Sequence, residues 1–192
     1  MTGYEVIRKF EELSSPEYAA DWDNVGLLVG RKDKEINVIY VALDATDEVI
    51  QKAIDVNADM LLTHHPMIFS SLKRVSAEHF IGRRILRLAR HDMAYYAMHT
   101  NFDVMGMADA AADEIQLKNR EVLEVTYEDD ISKEGFGRIG RLQKIMTLKE
   151  CALYVKRCFG IDSVKIFGDL DVNVEKAAIC PGSGRSMIDE AI

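Results

Sequence analysis

No stretch of the chain approaches the roughly 18 consecutive apolar residues that a membrane-crossing helix requires. Met1 to Phe10 alternates charged and apolar residues where a secretory segment would carry an apolar core. Neither a membrane span nor an export signal is therefore expected, and the cytoplasm is the expected compartment. Positive charge is also in short supply: 24 Lys and Arg face 32 Asp and Glu, a net charge of -8. Nucleic-acid binders draw most of their affinity from phosphate neutralisation, so a polynucleotide is not the expected partner. Arg83, Arg84, Arg87 and Arg90 share one helical segment, and this pattern suits a solvated helix face. Cysteine is scarce. Cys151, Cys158 and Cys180 are odd in number and lack zinc-type spacing, which leaves packing as their expected role. The loop Pro181-Gly182-Ser183-Gly184 has no Walker lysine and no dinucleotide fingerprint. It is a tight turn or, through its backbone N–H groups, a weak anion site. Histidine is missing from the later part of the chain: nothing after His99 carries an imidazole.

At 48% hydrophobic and 29% charged residues, the 192-residue chain can bury an ordinary core, as one domain or two small ones. The pattern up to position 117 alternates strands with helices. Thr2 and Glu5 form a capping box for a helix carrying Val6, Phe10 and Leu13, which ends by Pro16. A polar loop, Asp21 to Gly26, leads into a short strand, Leu27 to Val29. Its Trp22, the only tryptophan, can lid the core edge; Asp23 and Asn24 can form the turn or face a site. Ile36 to Leu43 and Met60 to Thr63 read as buried strands, separated by a helix capped by Thr46 and ended at Asn57. A helix opening at Ser76 leads to a third strand, Met93 to Met98, and Ala108 to Leu117 reads as a further helix. Alternation of this kind implies parallel pairing. Beyond it, Val122–Thr126, Gly137–Ile145, Val164–Phe167 and Val174–Ile179 look like strands, with a capped helix between Thr147 and Gly160.

Parallel strands place their C-terminal ends along one edge, where ligands bind. Asp44, the pair His64-His65, and His99 with Asp103 follow three successive strands at those ends. The adjacent histidines can serve one site only where the strand stops and the backbone turns, and Pro66 supplies such a turn. The pair can also be a loop feature without ligand role. As a set, nitrogen and oxygen donors without thiolate suit zinc, iron, manganese or a similar divalent ion.

Trp22-Asp23-Asn24-Val25-Gly26-Leu27, Leu43-Asp44, Thr63-His64-His65-Pro66 and His99-Thr100-Asn101-Phe102-Asp103, in this order, resemble the GTP cyclohydrolase 1 type 2 homologue family, also called Ngg-interacting-factor-3-like. The resemblance runs through 1–192, and Gly182-Ser183-Gly184 is similar to that family's later glycine loop. It implies an α/β protein of three layers, a largely parallel sheet with flanking helices, and two intertwined domains, here 1–125 and the start of a second, 126–192. It implies two divalent metal ions per chain, with His64, His65 and Asp103 as ligands and His99 as a catalytic residue close by. Trp22, Asp23 and Asn24 fall in the loop beside that site. It also implies a hexamer and a nucleotide-like substrate, by metal-assisted hydrolysis of the GTP cyclohydrolase kind. The family pattern closes with a C-terminal portion whose late His and Glu complete the metal pair. This chain lacks that portion, so the resemblance implies half a dinuclear site. The other readings are a non-catalytic metal-binding interaction or regulatory protein, and a metal chaperone.

Overall fold

Thr2 and Glu5 cap the first helix reciprocally, each side chain bonded to the other's backbone N–H, so α1 runs Gly3–Leu13. The computed structural model describes residues 1–192 and divides them into two compact units, Met1–Phe102 and Asp103–Ile192. In the first unit α1 is followed by β1 (Gly26–Val29), β2 (Ile39–Ala42), α2 (Asp47–Asp55), β3 (Met60–Thr63), α3 (Phe80–Arg90), β4 (Ala94–Ala97) and a single helical turn, α4 (Thr100–Phe102). The strands form one sheet in the order β1-β4-β3-β2. β2, β3 and β4 are parallel, as the alternation predicts, and β1 joins the far edge antiparallel to β4.

Helices cover both faces of this sheet. Ile50 and Ala53 of α2 and Leu88 of α3 pack with Leu61 and Tyr95 on one face. Val6 and Ile7 of α1 pack with Met60, Ala94 and Tyr96 on the other. Adjacent strand residues point to opposite faces, so Tyr95 and Tyr96 enter different cores. This is the expected three-layer α/β arrangement. No helix is long and apolar enough to cross a membrane.

Two local readings change. The helix expected to open at Ser76 begins at Phe80, with His79 at its N-cap position. Ser76 instead lies against the helix, so close that a Cβ on Gly82 would sit 2.2 Å from its carbonyl oxygen. Val164–Phe167 is not a strand: no neighbour pairs with it in the sheet order, and Phe167 stands almost fully exposed.

The second unit opens on a π-helical turn, Asp103–Met107, followed by α5 (Ala108–Glu114), β5 (Lys118–Glu128), β6 (Lys133–Thr147), α6 (Leu148–Cys158) and β7 (Asn173–Ile179). Its sheet, β5-β6-β7, is antiparallel throughout. A tight turn in which the Asp129 carboxylate accepts from the N–H groups of Ile131 and Ser132 joins β5 directly to β6; a parallel pair would need a long crossover. Ala112 and Ile115 pack into this unit's core with Leu117, Leu142 and Met146, and Cys151 and Cys158 lie against it. Arg138, nearly buried, is bound by both Asp109 oxygens at 2.9 and 2.8 Å and by the carbonyls of Gly135, Gly137 and Val104. A buried guanidinium is tolerable only when its donors are satisfied in this way.

Candidate metal centre

The parallel register sets Ala42, Thr63 and Ala97 side by side. The ladder continues briefly past the strands: His65 N–H donates to Leu43 O at 3.0 Å, and Met98 N–H to Thr63 O at 2.9 Å. The residues that follow each strand are thereby brought to one edge. His64, His65 and His99 each offer a ring nitrogen within 4.8 Å of the others. Their ring centroids are 4.9, 5.1 and 5.6 Å apart.

The turn that lets neighbouring histidines share one site is pinned by Tyr95, which is fully buried. Its hydroxyl accepts from Met67 N–H at 2.7 Å and donates to His65 O at 3.1 Å. The Thr63 hydroxyl donates to the same carbonyl at 2.9 Å. Burial pushes the Tyr95 phenol above its ordinary pKa, so it stays a neutral donor.

Each imidazole has an oxygen at Nδ1. His64 Nδ1 donates to Met98 O at 3.0 Å, His65 Nδ1 lies 2.8 Å from Asp44 Oδ1, and His99 Nδ1 lies 2.9 Å from Asp23 Oδ1. A proton held on Nδ1 puts the ring lone pair on Nε2, the arrangement that orients a metal-ligating histidine. The donor set fits a divalent ion: imidazole nitrogens, carboxylates behind them and no thiolate.

The Asp23 side chain is wholly buried behind His99. Its Oδ2 accepts from Thr100 N–H at 3.0 Å and from the Thr100 hydroxyl at 2.5 Å, and Oδ1 from Asn24 N–H at 2.8 Å. Burial pushes this carboxyl up, but the hydrogen bonds from Thr100, His99 and Asn24 outweigh it and hold it below the usual carboxylate range. Asp23 is thus a site-facing group. Sequence left it open between that role and a turn former, and only the fold separates the two. The Met98 carbonyl carries no sequence signal at all. Asp44, a metal-capable strand end in the sequence, stands behind His65. Trp22 is no lid on the core: it is 60% exposed and meets His99 edge-on at 6.1 Å. Asp103 heads the π-helical turn that opens the second unit.

A family model described as Duf34/NIF3 (NGG1p interacting factor 3) matches residues 1–192. A Clostridium perfringens protein named GTP cyclohydrolase 1 type 2 homolog is 32% identical over 97% of this chain and 71% of its own length. Its Clostridium acetobutylicum namesake is 33% identical over 97% and 69%. Among solved structures, a Bacillus cereus protein related to NIF3 superposes with a TM-score of 0.91 at 24% identity, over 99% of this chain and 79% of its own. Reduced HcgD from Methanocaldococcus jannaschii gives 0.79 at 29% identity, over 99% and 74%. With the histidine edge and these matches together, the chain belongs to the DUF34/NIF3 (NGG1p-interacting factor 3) family.

Proposed function

We propose that this chain is a divalent-metal protein that hydrolyses a nucleotide-like small molecule, with two ions of the zinc, iron or manganese kind per chain. The observation that carries the reading is the common design of the three histidines, each with an oxygen at Nδ1. His64 and His65 would hold metal, and Asp103 would add a carboxylate. Asp103 heads a π-helical turn, a feature that recurs at functional sites. When bound, a divalent ion supplies Lewis-acid polarisation and lowers the pKa of a coordinated water. His99 moves the proton. Asp23, bonded to Nδ1, fixes the ring's tautomer and orientation and leaves Nε2 to accept a proton and return it. The substrate class draws support from the relatives' name, GTP cyclohydrolase 1 type 2 homolog.

The test is metal-dependent turnover of GTP and other nucleotides by the zinc- or manganese-loaded chain. His99→Ala should lose turnover at least a hundredfold, given the roughly 10²–10⁴-fold worth of general acid–base catalysis, and keep its metal. His64→Ala should lose both. Metal uptake with no nucleotide turnover in any variant would favour the second reading, a metal-holding protein without catalysis. The grouping of His99 with the other two imidazoles within 4.8 Å favours that reading, because it suits His99 as a third ligand.

A further inference from the structure

Against His99 stands Trp22, and against Trp22 stands Phe69, two large aromatic side chains that the fold leaves uncovered. Trp22 is 60% and Phe69 52% exposed, in a chain with a single tryptophan. Their ring centroids are 5.8 Å apart at 44°, and Trp22 meets His99 at 6.1 Å. They belong to different loops, one before β1 and one after β3. Those loops are tied together by Asn24, whose side-chain amide donates to Ile68 O at 2.5 Å. The residue after Trp22 is Asp23, itself anchored by Thr100 and His99. Both rings are therefore next in sequence to pinned residues, and a surface that is ordered before binding loses little entropy on binding.

We propose that Trp22 and Phe69 form a stacking surface for a planar heteroaromatic ring, borne by a small ligand whose polar end reaches the three imidazoles. Only that second half rests on the metal-site reading. Rings stack on Trp and Phe faces whatever their substituents, so the pair recognises ring class and leaves the polar end to the histidines. The ring lies on the outer face of the pair: a clamp would need about 3.5 Å on each side of it, more than the 5.8 Å centroid separation allows. A net charge of -8 repels a polyanion, so the ring belongs to a small molecule and not to a polynucleotide.

Because Trp22 is the only tryptophan, its fluorescence reports this site alone. Guanosine 5′-monophosphate and ribose 5-phosphate, identical but for the base, are titrated into the full chain with and without zinc, by emission and by calorimetry. The base-bearing probe should quench Trp22 saturably and bind more tightly than the sugar phosphate. Trp22→Leu or Phe69→Ala should weaken it roughly five- to a hundredfold. Neither substitution should change ribose 5-phosphate binding or zinc uptake. Equal affinity for the two probes, or an unchanged affinity in Trp22→Leu, overturns the proposal. So does loss of zinc in either variant, which would make the pair a prop for the site. So does Trp22 emission that responds to protein concentration in place of ligand, which would place the pair between copies of the chain. Failure of wild type to take up zinc would sink the metal reading, while the comparison of the two probes without zinc still decides the stacking surface.

Discussion

Two buried groups decide how well the imidazoles are held. Tyr95 reaches the backbone of the His65–Met67 turn from inside the sheet. Tyr95→Phe leaves the Met67 N–H without its acceptor and should cost about 1–3 kcal/mol in chemical denaturation. It should also weaken zinc binding by roughly 10–100-fold, as loss of an outer partner does; unchanged zinc affinity by calorimetry would mean the turn holds without it. Asp23 acts on His99 instead. Asp23→Asn keeps the volume but removes the carboxylate that holds the His99 ring through Nδ1, so turnover should fall while zinc uptake stays near wild type. Equal losses of both would make His99 a ligand and Asp23 its support. Sequence made the histidines legible because metal-capable residues at three successive strand ends, Asp44, His64-His65 and His99, are rare. It could not rank Asp23 against Asn24 or Asp21, since the partner that distinguishes them, Thr100, lies far along the chain.

Strand runs are legible element by element, and their pairing much less so. Ile36–Leu43, Met60–Thr63 and Met93–Met98 each contain an observed strand; β3 and β4 are buried as continuous apolar runs imply, but the burial expected of Ile36–Leu43 fails, because β2 lies at the sheet edge and leaves one face exposed. The antiparallel docking of β1 on β4 has no such signature, since four residues carry too little pattern to fix direction. The Val164–Phe167 expectation fails for the same reason: β-propensity without a neighbour does not make a strand. Edge strand β2 is held at its entry by Asp59, whose Oδ2 accepts from Asn37 N–H at 2.8 Å and Val38 N–H at 3.0 Å. Burial pushes this carboxyl up, but those two bonds, with Lys34 nearby, bring it below its ordinary 3.8. A folded pKa below the unfolded one contributes stability that is complete above 3.8 and lost as pH falls through the folded value. Asp59→Ala should therefore cost about 1.5–3 kcal/mol near neutral pH, and the gap to wild type should close in acid. A gap independent of pH in denaturant melts would mean the carboxylate charge plays no part. β2 also shows an uncovered row: Ile39, Val41 and Leu43 alternate along it and all are exposed, Val41 at 69%. An apolar edge of this kind promotes association. Val41→Lys should lower self-association in sedimentation velocity without changing circular dichroism, and an unaltered sedimentation profile would remove β2 from any such contact.

For the molecule as a whole, the first unit was far more legible than the second. Alternating strands and helices leave few topologies open, so the gathering of His64, His65 and His99 follows from strand order alone. In the second unit the expected strands β5, β6 and β7 form, but α5, which the sequence groups with the first portion, packs Ala112 and Ile115 into the second core. Helix periodicity gives an apolar face and says nothing about which sheet receives it. The proposed function stands or falls with divalent metal on the imidazole edge. The direct test is metal content per chain by elemental mass spectrometry, on untagged protein purified without chelator, beside His64→Ala. The wild-type chain should carry bound divalent metal and His64→Ala should lose it, with unchanged circular dichroism. Wild type that takes up no metal even after incubation with zinc or manganese, or a His64→Ala chain that retains the full complement, would contradict the proposed function.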